Sequence, residues 1–226
     1  MTAFDEFALP ASGPDAAAID EAVELAVRCL SAEGLLAHPT STVFGLGGAV
    51  RPNVEAEMSR LKGYTSRRPY ICLVASAEQA ASLFPSAVWN DYAQRLAARF
   101  WPGPLTLALD DGTDEGIALR AEGNRFMQVL LGVWGGGVLS SSLNRRGQPV
   151  PATRDAAAAA LAGLPASEFS VTFISEPKLP GPPASSIVSV RGGVVRLLRL
   201  GAVSAEEIGA ALGLDPLGLG APVRTG

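Results

Sequence analysis

Histidine is almost absent from this 226-residue chain, and cysteine and lysine are scarce. With His38 the only histidine, a histidine-rich zinc site or a Ser-His-Asp triad is disfavoured, although His38 itself remains able to touch a ligand. The two cysteines, Cys29 and Cys72, fall on a predicted helix and a predicted strand without paired metal spacing, so they read as reduced core thiols. Lys62 and Lys178 are the only lysines, which leaves arginine to supply nearly all positive charge. No run approaches the roughly 20 apolar residues of a membrane helix. The acidic start, Asp5 and Glu6, also lacks the basic region of a signal peptide, so a soluble, cytoplasmic protein with no membrane partner is expected.

What the chain does have is 48% hydrophobic content, enough for one domain with a sizeable core. Its net charge of −4 is unevenly spread: residues 1–33 carry seven acids against Arg28 alone, whereas Arg51, Arg60, Lys62, Arg67 and Arg68 follow closely. Further arginines, Arg120, Arg125, Arg145, Arg146, Arg191, Arg196 and Arg199, add basic loops. An acidic protein that gathers cations near loops favours a local anionic ligand over a general nucleic-acid surface, with solvated arginine faces as the alternative for any one cluster.

The densest polar stretch is LAHPTSTVFGLGG, residues 36–48. Residues 35–37 read as the end of a buried strand, Pro39 stops its ladder, and the glycines allow close approach of backbone to a ligand. Thr40, Ser41 and Thr42 then sit at a strand's carboxyl end, where open α/β sheets hold ligands. The competing reading is a Thr-rich turn that caps the next helix.

Along the rest of the chain, residues 1–14 read as a flexible lead-in. Helices are predicted over 15–30, 53–61 (capped by Asn53), 77–83, 86–100, 124–133, 154–161 and 202–212. Strands are predicted over 70–74, 105–109, 117–120, 138–140, 171–175, 185–190 and 194–200, the last two as a hairpin turned at Gly192 and Gly193. An acidic loop between 109 and 117 departs from the calcium-loop pattern and reads as a solvated connection. Residues 140–149, SSSLNRRGQP, combine hydroxyls, an amide, guanidiniums and a glycine turn, a set suited to phosphate; an arginine-rich surface turn is the alternative. Alternating strands and helices argue for a mixed α/β sheet.

Several stretches together resemble the YrdC-like threonylcarbamoyl-AMP synthases. HPTSTVFGLG is similar to the family's P-T-D-T-V-Y-G-L, KGYTSRRPY to K-x-R-P-x-x-x-P-L, and FWPGPLTL to F-W-P-G-P-L-T. SSSLNRRGQP is similar to S-x-S-A-N-x-S-G-x-P, PASSIVSV to P-S-T-I-V-D, and LLRLGAV to I-L-R-x-G-A-I. The resemblance implies an α/β fold in which a twisted mixed sheet with flanking helices surrounds a large concave cavity. The domain would span 15–213, with 214–226 as a tail and no additional C-terminal domain.

It further implies that L-threonine, bicarbonate and ATP give threonylcarbamoyl-adenylate and pyrophosphate, for modification of tRNA, with tRNA or tRNA-modification proteins as further partners. Carried over by position, Lys62 and Arg68 would act catalytically by neutralising phosphate charge. Thr40, Thr42, Arg120 and Ser185 would bind the amino acid or its carbamate. Thr106, Ser142, Asn144 and Arg199, with Lys62 and Arg68, would bind ATP, and magnesium would ride on the triphosphate. Several positions depart from the pattern: Asp becomes Ser41, Tyr becomes Phe44, Arg becomes Tyr64, Pro becomes Thr65, Ser becomes Arg146 and Asp becomes Ser189. Arg67 or Arg146 would then replace the guanidinium lost at 64. The alternative is a diverged member that binds nucleotide or RNA without making the adenylate.

Overall fold

Ile19, Val23, Ala26 and Leu30 recur at helical spacing, and they form the buried face of α1 (Ala16–Ser31), whose N-cap Asp15 accepts from the Ala18 N–H. The protein is seen in a computed structural model that describes residues 2–10, 15–64, 69–145, 147–177, 179–181 and 183–219. Its strands are β1 (Asp5–Ala8), β2 (Leu35–His38), β3 (Gly45–Ala49), β4 (Ile71–Val74), β5 (Leu105–Leu109), β6 (Ile117–Ala121), β7 (Val138–Ser142), β8 (Val171–Ser175), β9 (Ser186–Ser189) and β10 (Arg196–Arg199). They make one mixed sheet in the order β1-β8-β2-β3-β7-β4-β6-β5-β9-β10. The remaining helices are α2 (Pro52–Lys62), α3 (Ala77–Leu83), α4 (Asp91–Phe100), α5 (Arg125–Trp134), α6 (Arg154–Ala162) and α7 (Ala205–Leu212).

Alternation along the strands divides the core into layers. In β2, Leu35 and Ala37 join a cluster with Val54 and Met58 of α2 and Leu161 of α6. Leu36, on the opposite face, packs with Leu30 of α1 and Leu130 of α5. A third cluster unites β5, β6 and β9 with α4 and α7 through Leu107, Leu119, Val188, Leu96 and Ile208.

Four local expectations are corrected. The lead-in is partly structured: β1 runs parallel to β8, with Phe7 opposite Ile174, and Leu9 is buried. The glycine run forms a strand, β3, paired antiparallel to β2 on one side and β7 on the other. A Cβ on Gly47 would lie 1.8 Å from the Leu139 carbonyl oxygen, so the close approach of β7 requires glycine there. Helix α2 starts behind Arg51 with no side-chain cap; Pro52 occupies its first turn, and Asn53 donates instead to Glu33. Beyond α7, Pro216–Leu219 form a 3-10 turn that buries Leu219 in the third cluster, so this part of the tail is packed. The acidic connection between β5 and β6 is held by Arg191, whose Nε donates to Asp110 at 3.0 Å.

Candidate active site on the concave sheet face

Residues two apart on a strand share a face, and that rule gathers the site. Ile71 and Leu73 of β4, Arg120 of β6, Ser140 and Ser142 of β7, and Ile187 of β9 line a cleft of about 620 Å³. The turn after β2 supplies Thr40 and Thr42, the end of α2 supplies Lys62, and Ser185 and Arg199 close the far side. A smaller pocket of about 350 Å³, lined by Lys62, Gly63, Arg145 and Gln148, shares Lys62 with the cleft. Of the residues expected at the site, Lys62, Thr40, Thr42, Arg120, Ser142, Asn144, Ser185 and Arg199 therefore converge on one cleft. Arg68, Arg67 and Arg146 lie outside the described residues.

Among the described residues the cleft lining includes Lys62, Arg120 and Arg199 and no carboxylate. Lys62 is 3% exposed, and its Nζ donates to the carbonyls of Ser142 and, at 2.8 Å, Asn144. Burial without a described counter-ion pulls its pKa down to about 8. Arg199 donates from Nε to the Ser185 carbonyl at 2.9 Å and from its terminal nitrogen to Ser185 Oγ at 3.0 Å. Burial, and then the nearby Arg120 charge, lower the Arg199 pKa from its ordinary value. Such a cluster of cations is stabilised by an arriving anion.

The hydroxyls are set by local geometry. Thr40 Oγ1 donates to the Val43 carbonyl at 2.5 Å and accepts from the N–H groups of Thr42 and Val43, which folds the turn at the end of β2. Ser142 Oγ donates to Asn144 Oδ1 at 2.6 Å, and the Asn144 amide donates to the Gln148 carbonyl at 2.7 Å. Asn144 thus holds the turn after β7, and its backbone carbonyl, not its side chain, meets Lys62. Thr106 is fully buried and does not line the cleft; its hydroxyl pairs with Ser185 Oγ at 3.0 Å and so fixes Ser185 from behind.

His38 and Ser41, expected near a ligand, are absent from the cleft lining, and Glu122 is a feature the sequence reading did not include. His38 is fully buried behind the cleft: Nδ1 lies 3.1 Å from the Pro39 carbonyl, which can only accept, so Nε2 accepts from the Ser140 hydroxyl at 3.2 Å. Burial pushes its pKa down to about 4 and keeps it neutral. Ser41 Oγ accepts from Arg120 at 2.8 Å. Glu122, also fully buried, pairs with Arg120 through one oxygen, while the other accepts from the N–H groups of Ser41 (2.6 Å), Gly123 (2.8 Å) and Asn124 (3.0 Å). The signal for Glu122 was its place two residues beyond Arg120, on the same face of the chain.

Comparison with known proteins identifies the family. A family model for Sua5, YciO and YrdC, described as telomere recombination, matches residues 28–201. A threonylcarbamoyl-AMP synthase of Chromohalobacter salexigens is 34% identical over 134 residues, covering 55% of this chain and 71% of the relative. The Bacillus subtilis protein of that name is 29% identical over 208 residues, covering 86% of this chain but 57% of its own length. The structure of Pyrococcus abyssi Sua5 complexed with L-threonine aligns with a TM-score of 0.76 and 25% identity, over 100% of this chain and 66% of that one. A mixed sheet with a cationic concave face, matched in sequence across most of its length, places this chain in the Sua5, YciO and YrdC family.

Proposed function

We propose that this chain makes L-threonylcarbamoyl-adenylate from L-threonine, bicarbonate and ATP, releasing pyrophosphate, and thereby serves threonylcarbamoyladenosine modification of tRNA in the cytoplasm. The observation that carries the reading is one cleft lined by Lys62, Arg120 and Arg199, together with the hydroxyls of Thr42, Ser142 and Ser185 and no described carboxylate. The names of the relatives give the substrate class.

The chemistry is a carbamate oxygen attacking the α-phosphorus of ATP, forming a P–O bond as the bond to the pyrophosphate oxygen breaks. No covalent enzyme intermediate is needed, so the work falls to alignment and charge stabilisation. Lys62 and the Ser142 hydroxyl meet the polyphosphate, Arg199 holds the nucleotide, and Thr42, Arg120 and Ser185 orient the threonine carbamate. Thr106 acts through Ser185, and Asn144 through the turn it closes. The described lining residues offer a divalent cation no carboxylate, so magnesium would be carried on the triphosphate oxygens, where it would supply neutralisation of phosphate charge.

The test is pyrophosphate release. It is expected only when threonine, bicarbonate and ATP are all present. ATP binding without pyrophosphate under any combination of amino acid and bicarbonate would replace this reading with a nucleotide-binding role.

A further inference from the structure

Arg120 is the most heavily engaged cation in the cleft. Its Nε donates to the Gly103 carbonyl at 3.1 Å, and its Nη2 to Ser41 Oγ at 2.8 Å and to Glu122. That leaves Nη1, whose hydrogen-bond acceptor among the described residues is Thr42 Oγ1 at 3.5 Å, as the edge with donors to spare. Glu122 is the group that makes this arrangement stiff: its carboxylate joins Arg120 to the backbone of Ser41, on the turn after β2, and to Gly123 and Asn124 at the entrance to α5.

Position 41 departs from the acidic residue of the motif it resembles, and the structure puts Ser41 Oγ within 2.8 Å of the guanidinium nitrogen that Glu122 also binds. A carboxylate on residue 41 would reach the same nitrogen. We propose that Glu122 is a positioning residue of the amino-acid half of the cleft, supplying from β6's end the counter-charge that position 41 lacks, so that Arg120 presents its Nη1 edge to substrate in one orientation. This rests on the reading of the cleft as a threonine site. Among the described hydrogen bonds none joins Lys62, Arg199 or Ser142 to Glu122, so Glu122 reaches the ATP half only through the Arg120 charge near Arg199.

The experiment moves the charge. L-threonine and ATP binding are titrated separately, and thermal midpoints recorded, for the wild type, Glu122→Gln and the double variant Ser41→Asp with Glu122→Gln. Glu122→Gln is expected to weaken L-threonine binding at least about tenfold, to leave ATP binding within about threefold, and to lower the midpoint, because Arg120 loses its buried partner. The double variant is expected to recover threonine binding to within about threefold of wild type and most of the midpoint, since the two sites are directly coupled. Threonine binding unchanged in Glu122→Gln, threonine and ATP binding lost together, or a double variant no better than the single one would each overturn the proposal. If Glu122→Gln does not fold, folding and threonine binding by the double variant decide it, and failure of either overturns it. If the wild type binds no threonine, the substrate reading fails. The midpoints then decide the counter-charge: recovery in the double variant upholds it and no recovery overturns it.

Discussion

Lys62 carries a buried ammonium whose described partners are two carbonyls and the Tyr64 ring, none of them an anion, so its charge is worth more to a ligand than to the fold. Lys62→Ala should therefore weaken ATP binding by at least about 1 kcal/mol while leaving the thermal midpoint unchanged or higher, read by titration calorimetry and a melting scan. The pH dependence has a definite sign. The free-state pKa is near 8 and a bound phosphate raises it, so ATP binding is tightest below about pH 8 and falls above it. Between pH 7 and 9 the affinity should drop about tenfold in the wild type and stay flat in Lys62→Ala. His38 acts on stability instead. Its pKa is about 4 in the folded protein, below the ordinary histidine value, so protonation favours the unfolded chain. Stability is fully present above about pH 6.5 and is lost as pH falls toward 4, by up to about 3 kcal/mol. In urea melts across that window, the stability gap between the wild type and His38→Asn should shrink as the pH falls; a constant gap would contradict a buried neutral imidazole.

At the scale of the element, β3 tests how the sheet closes. Gly47→Ala would push a methyl into the Leu139 carbonyl, so separation of β3 and β7 is expected to cost about 3 kcal/mol or more, whereas alanine at Gly132, a position within α5 with open space around it, should stabilise by about 0.5–1 kcal/mol. Denaturant unfolding of the two variants makes the comparison. The same strand shows why parts of the fold were legible and parts were not. Strands such as β8 and helices such as α3 announce themselves by apolar content and period, and both match their predicted ranges. Gly45–Ala49 has almost no side chain to read, and its strand character comes from neighbours far away in sequence. The start of α4 at Asp91 was hidden for a related reason: residues 86–90 carry helix-compatible side chains, but Asn90 caps the Ala93 N–H and ends the preceding turn. At the site, Thr40, Thr42, Lys62, Ser142, Ser185 and Arg199 were legible because each sits in a polar motif at a turn or strand end. Thr106 was placed one layer too far forward, since a buried hydroxyl behind a serine has the same motif as one facing a ligand. Glu122 was missed because its spacing from Arg120 is a weak signal, and the backbone N–H groups that fold onto its second oxygen come together only in the fold.

Across the whole molecule, the cleft depends on a sheet order that sets β7 between β3 and β4 and carries β9 and β10 to the far edge, so that residues from 40 to 199 meet. The opposite edge is β1, separated from β3 by β8 and β2. Its attachment is specific: Leu9 is 3% exposed in the cluster with α1 and α5, its N–H donates to Ser175 at 2.8 Å, and Glu6 accepts from both Ser175 and Arg154. The Arg154 pair is half exposed and contributes little; the apolar burial of Leu9 and Phe7 and the pairing with β8 carry the edge. Removing residues 1–10 should therefore cost about 3 kcal/mol and lower the melting temperature by about 10 °C for a domain of this size. No cleft residue lies on β1 or contacts it through a described hydrogen bond. ATP and threonine affinities, titrated at a temperature where the shortened chain is still folded, should accordingly remain within about twofold of the full chain. A parallel fall in affinity and stability would mean that the edge strand tensions the sheet as far as β7, and that the cleft and the rim open as one cooperative unit.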